Sequence, residues 1–562
     1  MKDLSEAKQN LIKDLFKKNK FHQLEFEVNS LLLEKRSPFL LNLLGVSKIS
    51  KIPTSKKDLN ESLDLFKEAY LKDKTFIDAL FNYAEISIRL LDYGKVKDFL
   101  IEYLNKKEYD YKAILALARI HFYLGNMDEC LVNYKKIIDN NEANSKLWSA
   151  FLFTTNYTYK YNQKDYLNFC HQYSEKLEKF DKKILKKFQY EINPKKIRLG
   201  FFSADLRTHS VAKFIEETLK ILKKDNYEII AFSNNNLGAD DSTTERLKGI
   251  FHEWYDIVKL SDLDAVNLIR DKKINILFDL TGYSTGNRCE IFKNKSAPLQ
   301  ISWCGYCNSS GIKEIDYLVA DENLIKKEED FNYTEKIIRL PKIWNSHFLI
   351  SSEIEINELP AIKNKYLTFG SFNNYGKLSD ETIKTWSEIL KNNNSKLILK
   401  SSVHDHQLLR DNIKSKFKKN GIEGDKIVFI ERLKSYEDHL KMYNSIDISL
   451  DTFPFAGATT TFESLWMGVP TITLSGEIFN SKFGVSINKN LNLETFIAKD
   501  KNDYIEKAKI ISSDINKLSQ IRHSLRKLAI NSPLFDNKNL GLELSKILKD
   551  KWRLFSQQNK NL

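Results

Sequence analysis

The stretch Asp451 to Pro470, DTFPFAGATTTFESLWMGVP, decides how the C-terminal half of this chain is read. Just ahead of it, Ile446 to Leu450 forms an apolar run suited to a strand, and from Phe462 onward the spacing suits a helix. Gly457, Ala458, Thr459, Thr460 and Thr461 therefore fall at a strand-to-helix turn. Such a turn suits an anion, because the first helical N–H groups lack intrahelical partners and the helix dipole places positive charge there. Three successive hydroxyls add donors able to wrap a diphosphate. Glu463, two residues into the helix, can accept the paired hydroxyls of a ribose. The plainer alternative is that Thr459 to Thr461 cap a core helix and nothing more.

Working outward, further strand-like runs precede this one at Leu367–Phe372, Lys396–Lys400 and Ile427–Ile430, and another follows at Thr471–Leu474. An earlier set lies at Ile197–Ser203, Tyr227–Ser233, Ile274–Leu280, Gln300–Trp303 and Tyr317–Ala320. Helical patterns separate most of them. Alternating strands and helices predict two doubly wound parallel sheets, whose ligands gather at the carboxyl ends of the strands. His209 and the Thr281–Tyr283 turn fall at such ends. The expected domains are residues 195–350 and 365–555, joined by a linker near Ile354 to Asn364 and facing each other across a cleft.

Residues 1–190 read differently, with apolar residues at three- and four-residue spacing and few strand signals. Ala84 and Ala118 are 34 residues apart, which is the tetratricopeptide period. Leu117, His121, Gly125, Cys130, Tyr134 and Ile137 fall near that repeat's packing positions, and an earlier unit fits through Leu44, Gly45, Ser62, Phe66 and Ala69. A helical repeat of this kind presents a surface to extended peptides or partner proteins. Equally, it can buttress the next domain or mediate a homo-oligomer.

Composition sets outer limits. The 562 residues carry 88 basic and 75 acidic side chains for a net charge of +13, with the lysines dispersed. No arginine-rich arm or base-reading motif accompanies that charge, so a nucleic-acid partner is not expected. No apolar run approaches the ~20 residues of a membrane span, and the first residues lack a signal peptide's apolar core. Five cysteines give no disulfide framework. These features predict a cytoplasmic protein. Trp303–Cys307 (WCGYC) has the spacing of a redox motif, yet the Asn308–Gly311 that follows is turn-like rather than a helix opening. Asp205, Asp279 and Asp321 lie at strand ends without metal-ligand spacing, so no metal is expected.

Several segments, in order, resemble one family: RLGFFSADLRTHSV (198–211), DLTGY (279–283), APLQISW (297–303), IDYLVAD (315–321), FGSFN (369–373), the opening stretch, and SPLF (532–535). They are similar to the catalytic region of O-linked N-acetylglucosamine transferases and their SPINDLY relatives, glycosyltransferase family 41. That family also places tetratricopeptide repeats ahead of the catalytic region. The resemblance implies an α-helical tetratricopeptide-like domain followed by an α/β GT-B glycosyltransferase of two Rossmann-like domains. It further implies inverting transfer of a sugar, N-acetylglucosamine from UDP-GlcNAc onto Ser or Thr of a protein, with no cofactor and no metal.

By the same resemblance His209 matches the active-site histidine, as base or as acceptor-positioning group, and Lys377 the lysine on the donor diphosphate. Asn374, Gly457, Thr459, Thr460 and Thr461 line the nucleotide-sugar site, His439 lies near the nucleobase, and Glu463 takes the ribose-contacting place. Four positions depart from the best-known members: Glu463 replaces Asp, Ala458 replaces His, Tyr436 replaces Lys, and Asn374 replaces Gln. Some SPINDLY-type members carry a Thr-Thr-Thr-x-x-Glu arrangement and use GDP-fucose. GDP-fucose transfer, transfer of a hexose to Asn, and a scaffold with a degenerate catalytic region therefore stand as alternatives.

Overall fold

A computed structural model describes residues 5–559 except 52–53, 91, 188–189, 349, 351–352, 392–393, 402–406, 432 and 434. The chain divides into two compact units, Met1–Ala143 with His406–Asn412, and Asn144–Asp405 with Ile413–Leu562.

The first unit is a helical repeat. Its helices include Pro38–Ile49, Lys56–Lys72, Ile77–Leu90, Gly94–Lys106, Tyr111–Tyr123 and Met127–Asp139. Ala84 and Ala118, the small residues of the 34-residue spacing, are both fully buried. Lys112 pairs with Asp78 and Arg119 with Glu85, each across that same 34-residue interval, so equivalent faces of successive units meet. Close approach is built in at Gly45, where a Cβ would lie 2.5 Å from the Phe66 ring. The Ser62 hydroxyl donates to the Gly45 carbonyl at 3.1 Å, closing the same helix pair.

The second unit holds two parallel sheets. The first has the order β3-β2-β1-β4-β5-β6-β7. Its strands are β1 (Ile197–Ser203), β2 (Tyr227–Ser233), β3 (Glu253–Asp256), β4 (Ile276–Asp279), β5 (Leu299–Ser302), β6 (Tyr317–Asp321) and β7 (Lys336–Leu340). The second has the order β10-β9-β8-β11-β12-β13. It is built from β8 (Leu367–Ser371), β9 (Ser395–Lys400), β10 (Ile427–Ile430), β11 (Ile448–Leu450), β12 (Thr471–Leu474) and β13 (Ile497–Ala498). In each sheet the strand order reverses once, between β1 and β4 and between β8 and β11. Ligand crevices form at such switch points, and the candidate residues lie at these two.

One continuous apolar core runs through both halves. Polar contacts join them as well: Ser486 donates to Asp321 at 2.7 Å and Lys482 pairs with Glu329 at 2.6 Å. The Asn537–Gln558 helix crosses back to the first sheet, where Tyr227 donates to the Ser545 carbonyl at 2.8 Å. Helices Ser145–Thr155 and Gln163–Lys176, which the helical texture groups with residues 1–190, belong to this second unit. The Tyr166 hydroxyl donates to the Ser309 carbonyl at 2.6 Å, and a Cβ on Gly311 (φ +64) would lie 2.4 Å from Cys170 Cβ. These two helices are thus seated on the turn after Trp303–Cys307.

Candidate active site

A cavity of about 290 Å³ opens between the two sheets of the second unit. Its walls come from the carboxyl ends of strands in both: His209 after β1, Cys304 and Cys307 after β5, Asn373, Asn374 and Lys377 after β8, and Ala458 to Thr460 after β11.

The turn after β11 is braced from below. The Asp451 carboxylate accepts from the Gly457 N–H at 2.6 Å and from the Thr473 hydroxyl at 2.8 Å. Burial pushes its carboxyl up to about 6, against the pull of those bonds and of Lys377. Asn373 Oδ1 accepts from the Thr460 hydroxyl at 3.0 Å, and the Thr461 hydroxyl donates to the Gly457 carbonyl at 2.9 Å. A side chain on Gly457 would collide with this arrangement, its Cβ lying 2.6 Å from Thr460 Oγ1 and 2.9 Å from Asn373 Oδ1. The Thr459–Trp466 helix starts at Ala458, which offers no side-chain cap. The Thr461 and Phe462 N–H groups donate back to the Ala458 carbonyl at 2.9 and 3.1 Å, and no side chain of Ala458 caps the turn ahead of them.

Lys377 lies under this turn. Its Nζ donates to the Ala456 carbonyl at 2.8 Å and sits 4.1 Å from the centre of the Phe455 ring. Burial pulls its ammonium down to about 8, with Asp451 and Cys307 acting in the opposite sense. A buried cation with one neutral hydrogen-bond partner beside a helix N-terminus is a ready place for a diphosphate.

His209 caps the Ser210–Lys224 helix: its Nδ1 accepts from the Val211 N–H at 3.3 Å. Burial lowers its pKa, opposed by the Asp205 carboxylate 3.8 Å away. The ring stays 41% exposed and lines the cavity. With Nδ1 accepting, the neutral ring carries its proton on Nε2, which makes that nitrogen a donor.

Glu463 and His439 form a cluster beside the cavity. The buried Glu463 carboxylate accepts from Lys213 Nζ at 2.9 Å, the Tyr436 hydroxyl at 2.8 Å and His439 Nε2 at 2.9 Å. Burial would raise its pKa, but the His439 bond and the Lys213 charge hold it well below the usual carboxylate range. His439 Nδ1 faces Lys400 Nζ at 2.6 Å, and Lys213 lies 3.8 Å from the centre of the Tyr436 ring.

Of the residues singled out from sequence, His209, Asn374, Lys377, Thr459 and Thr460 line the cavity. Gly457 and Thr461 shape the turn from behind, and His439 and Glu463 make the adjoining cluster. Lys213, Lys400, Phe455, Asn345 and Asn480 were not singled out. Lys213 gives no sequence signal, because its neighbours at helical spacing, Ser210, Glu216, Glu217 and Lys220, make an ordinary polar face. Among the described residues no group of three or more His, Cys, Asp or Glu is placed to hold a metal. Cys304 and Cys307 lie in a turn, not at a helix start, and burial pushes both thiols up, Cys307 to about 12.

The profile of glycosyl transferase family 41 matches residues 157–356 and 346–544, which takes in both sheets and every residue of the cavity turn. The chain belongs to glycosyltransferase family 41. Among family 41 proteins, a tomato (Solanum lycopersicum) protein described as a probable UDP-N-acetylglucosamine–peptide N-acetylglucosaminyltransferase SPINDLY is 33% identical over 362 residues, covering 64% of this chain and 39% of its own length. An Arabidopsis thaliana protein described as a probable enzyme of the same kind, SEC, is 28% identical over 378 residues, 64% of this chain and 37% of that one. The chain thus spans well under half the length of these curated relatives. Among solved structures, a variant of the Thermobaculum terrenum O-GlcNAc transferase superposes with a TM-score of 0.79 at 22% identity, covering 89% of this chain and 95% of the other. That likeness supports the fold: a helical repeat followed by the two-sheet GT-B arrangement of family 41.

Proposed function

We propose that this protein is an inverting protein O-glycosyltransferase that moves N-acetylglucosamine from UDP-GlcNAc to Ser or Thr of a protein acceptor. The observation that carries the reading is the buried Lys377 ammonium beneath the open first turn at Thr459 and Thr460. Breaking the bond between the anomeric carbon and the diphosphate oxygen leaves an extra negative charge on the departing group. Preorganised donors in a water-poor site stabilise such charge far more than water does. Lys377 supplies a full positive charge there, and the helix start and threonine hydroxyls supply dipoles. The charge of the leaving group is met by the protein itself.

The acceptor hydroxyl attacks the anomeric carbon from the face opposite the diphosphate, which inverts that centre. His209, with its Nδ1 turned to Val211, presents an N–H to the cavity and so orients the acceptor or a donor oxygen. This favours positioning over proton abstraction among the two roles open to it. This reading gives the nucleoside to the His439–Glu463 cluster, whose histidine is flanked by the rings of Phe372, Tyr436 and Tyr443. The names of the SPINDLY and SEC relatives support the donor and the peptide acceptor. A second reading keeps the mechanism and replaces the donor by GDP-fucose; the sequence departure at Glu463, where the best-known members carry Asp, favours it.

Thermal melting of the purified protein with UDP, GDP and their sugar conjugates tests both. A ligand at about 100 times its Kd adds about 2.7 kcal/mol. Selective stabilisation by UDP and UDP-GlcNAc is expected. Stabilisation by GDP and GDP-fucose alone replaces the donor, and no response to any nucleotide overturns the enzyme reading in favour of a scaffold.

A further inference from the structure

Two residues that line the cavity, Asn345 after β7 and Asn480 after β12, each carry a buried amide oxygen with no protein hydrogen-bond partner among the described residues. Both side chains are nearly inaccessible, at 1% and 3% exposure. An unpaired buried amide oxygen costs about 1–3 kcal/mol, so it calls for a physical reason.

For Asn480 the orientation is fixed by its neighbours. Asn156 lies just past the Ser145–Thr155 helix, ahead of the region the family profile covers. Its Nδ2 donates to the Leu152 and Phe153 carbonyls at 3.0 and 3.1 Å and to the Tyr306 hydroxyl at 2.9 Å. That places Asn156 Oδ1 on the opposite side, where it accepts from Asn308 Nδ2 at 2.9 Å and from Asn480 Nδ2 at 2.7 Å. Asn480 is thereby held with its NH2 on Asn156 and its oxygen turned away. The main chain of Asn480 is tied to the diphosphate turn, its carbonyl accepting from the Ala456 N–H at 3.1 Å, while the Ala456 carbonyl takes Lys377. The Asn480 main chain is therefore joined by one backbone bond to the turn that the reading above gives to the donor phosphates.

We propose that Asn480, with Asn345, accepts hydrogen bonds from hydroxyls of the transferred sugar, and that Asn156 is the positioning residue that aims Asn480. The inference rests on the glycosyltransferase reading above. A sugar is the ligand whose chemistry fits: it offers several O–H donors and no charge. Next to a diphosphate a neutral amide can accept them without the repulsion a carboxylate would add. The helical segment ahead of the two sheets thus contributes to the sugar subsite through Asn156 and through Phe153, which also lines the cavity.

The test is calorimetric, on the full chain, with UDP against UDP-GlcNAc and GDP against GDP-fucose. The quantity read is the ratio of the Kd of the nucleoside diphosphate to that of its sugar conjugate. Asn480→Ala should leave nucleoside diphosphate affinity near the wild-type value and lower that ratio about tenfold, the loss of one well-made hydrogen bond to a buried group. Asn156→Ala should lower it in the same direction but by less, since Asn480 keeps its oxygen and loses only its holder. An unchanged ratio in Asn480→Ala overturns the proposal, as does an equal loss of affinity for both ligands, which marks a purely structural role. A wild-type protein that binds no nucleotide defeats the glycosyltransferase reading itself, and this subsite with it.

Discussion

Lys213 Nζ lies 2.9 Å from Glu463 Oε1, joining the helix after β1 to the helix after β11 across 250 residues of sequence. The pair ties the first sheet's helix layer to the His439–Glu463 cluster of the second. Glu463 is buried and its pKa is depressed, so the stability it contributes is present above the ordinary carboxylate value of about 4.3 and is lost as pH falls below it. Lys213→Met removes one of three donors and leaves His439 and Tyr436. The expected cost is about 1–3 kcal/mol at pH 7, below that of stripping a buried charge of all its partners. Thermal melting at pH 7 and at steps well below pH 4 checks the sign: the deficit should shrink only where the folded carboxyl itself takes up its proton, below the ordinary carboxylate range, and a deficit that grows there would contradict the assignment.

Lys377 sets function against stability. Its folded pKa of about 8 lies below its ordinary 10.5, so below pH 8 the fold carries the cost of a buried ammonium, and that cost is relieved as pH rises through 8. The difference corresponds to about 3 kcal/mol at neutral pH, before the lost bond to the Ala456 carbonyl is counted. Lys377→Met should therefore melt no lower than the wild type without ligand at pH 7, and higher if the charge outweighs the bond. Turnover should fall at least about a hundredfold, as for other single groups that stabilise charge in the transition state. Near-normal turnover would sink the assigned role.

The same lysine predicts the pH dependence of binding. A diphosphate favours the charged ammonium, so nucleotide binding should draw in a proton near pH 8 and weaken as pH rises through that value. Calorimetry in buffers of different ionisation enthalpy reads the uptake directly. The Lys377→Met variant should lose both the uptake and the pH slope; a slope that persists would place the titrating group elsewhere.

Much of this was legible beforehand where a single run of residues carried the signal. β1, β2, β10 and β12 fall on the residues expected of them, because each is a mostly apolar or β-branched run. β3 (EWYD) and β7 (KIIRL) were missed because edge strands keep their charged side chains in water, and β13 is only two residues long. The threonines were reached through a local pattern around a turn, and Lys377 only through the family resemblance. Asn156 and Asn480, 324 residues apart, have no local pattern; only the packing of the Ser145–Thr155 helix against both sheets brings them together.

Gly457 provides the sharpest steric test of the turn. Its Cβ substitute would press on Thr460 Oγ1 and Asn373 Oδ1, the two groups that hold the first helical turn in place. Overpacking of this kind costs about 1–3 kcal/mol where the neighbours cannot move. Thr460 can rotate, but doing so gives up its bond to Asn373 and loosens the start of the helix. Gly457→Ala should therefore lower the melting temperature modestly while reducing nucleotide affinity far more than stability. If the variant binds nucleoside diphosphates as the wild type does, the phosphates are not read at this turn, and the site must be moved along the cleft.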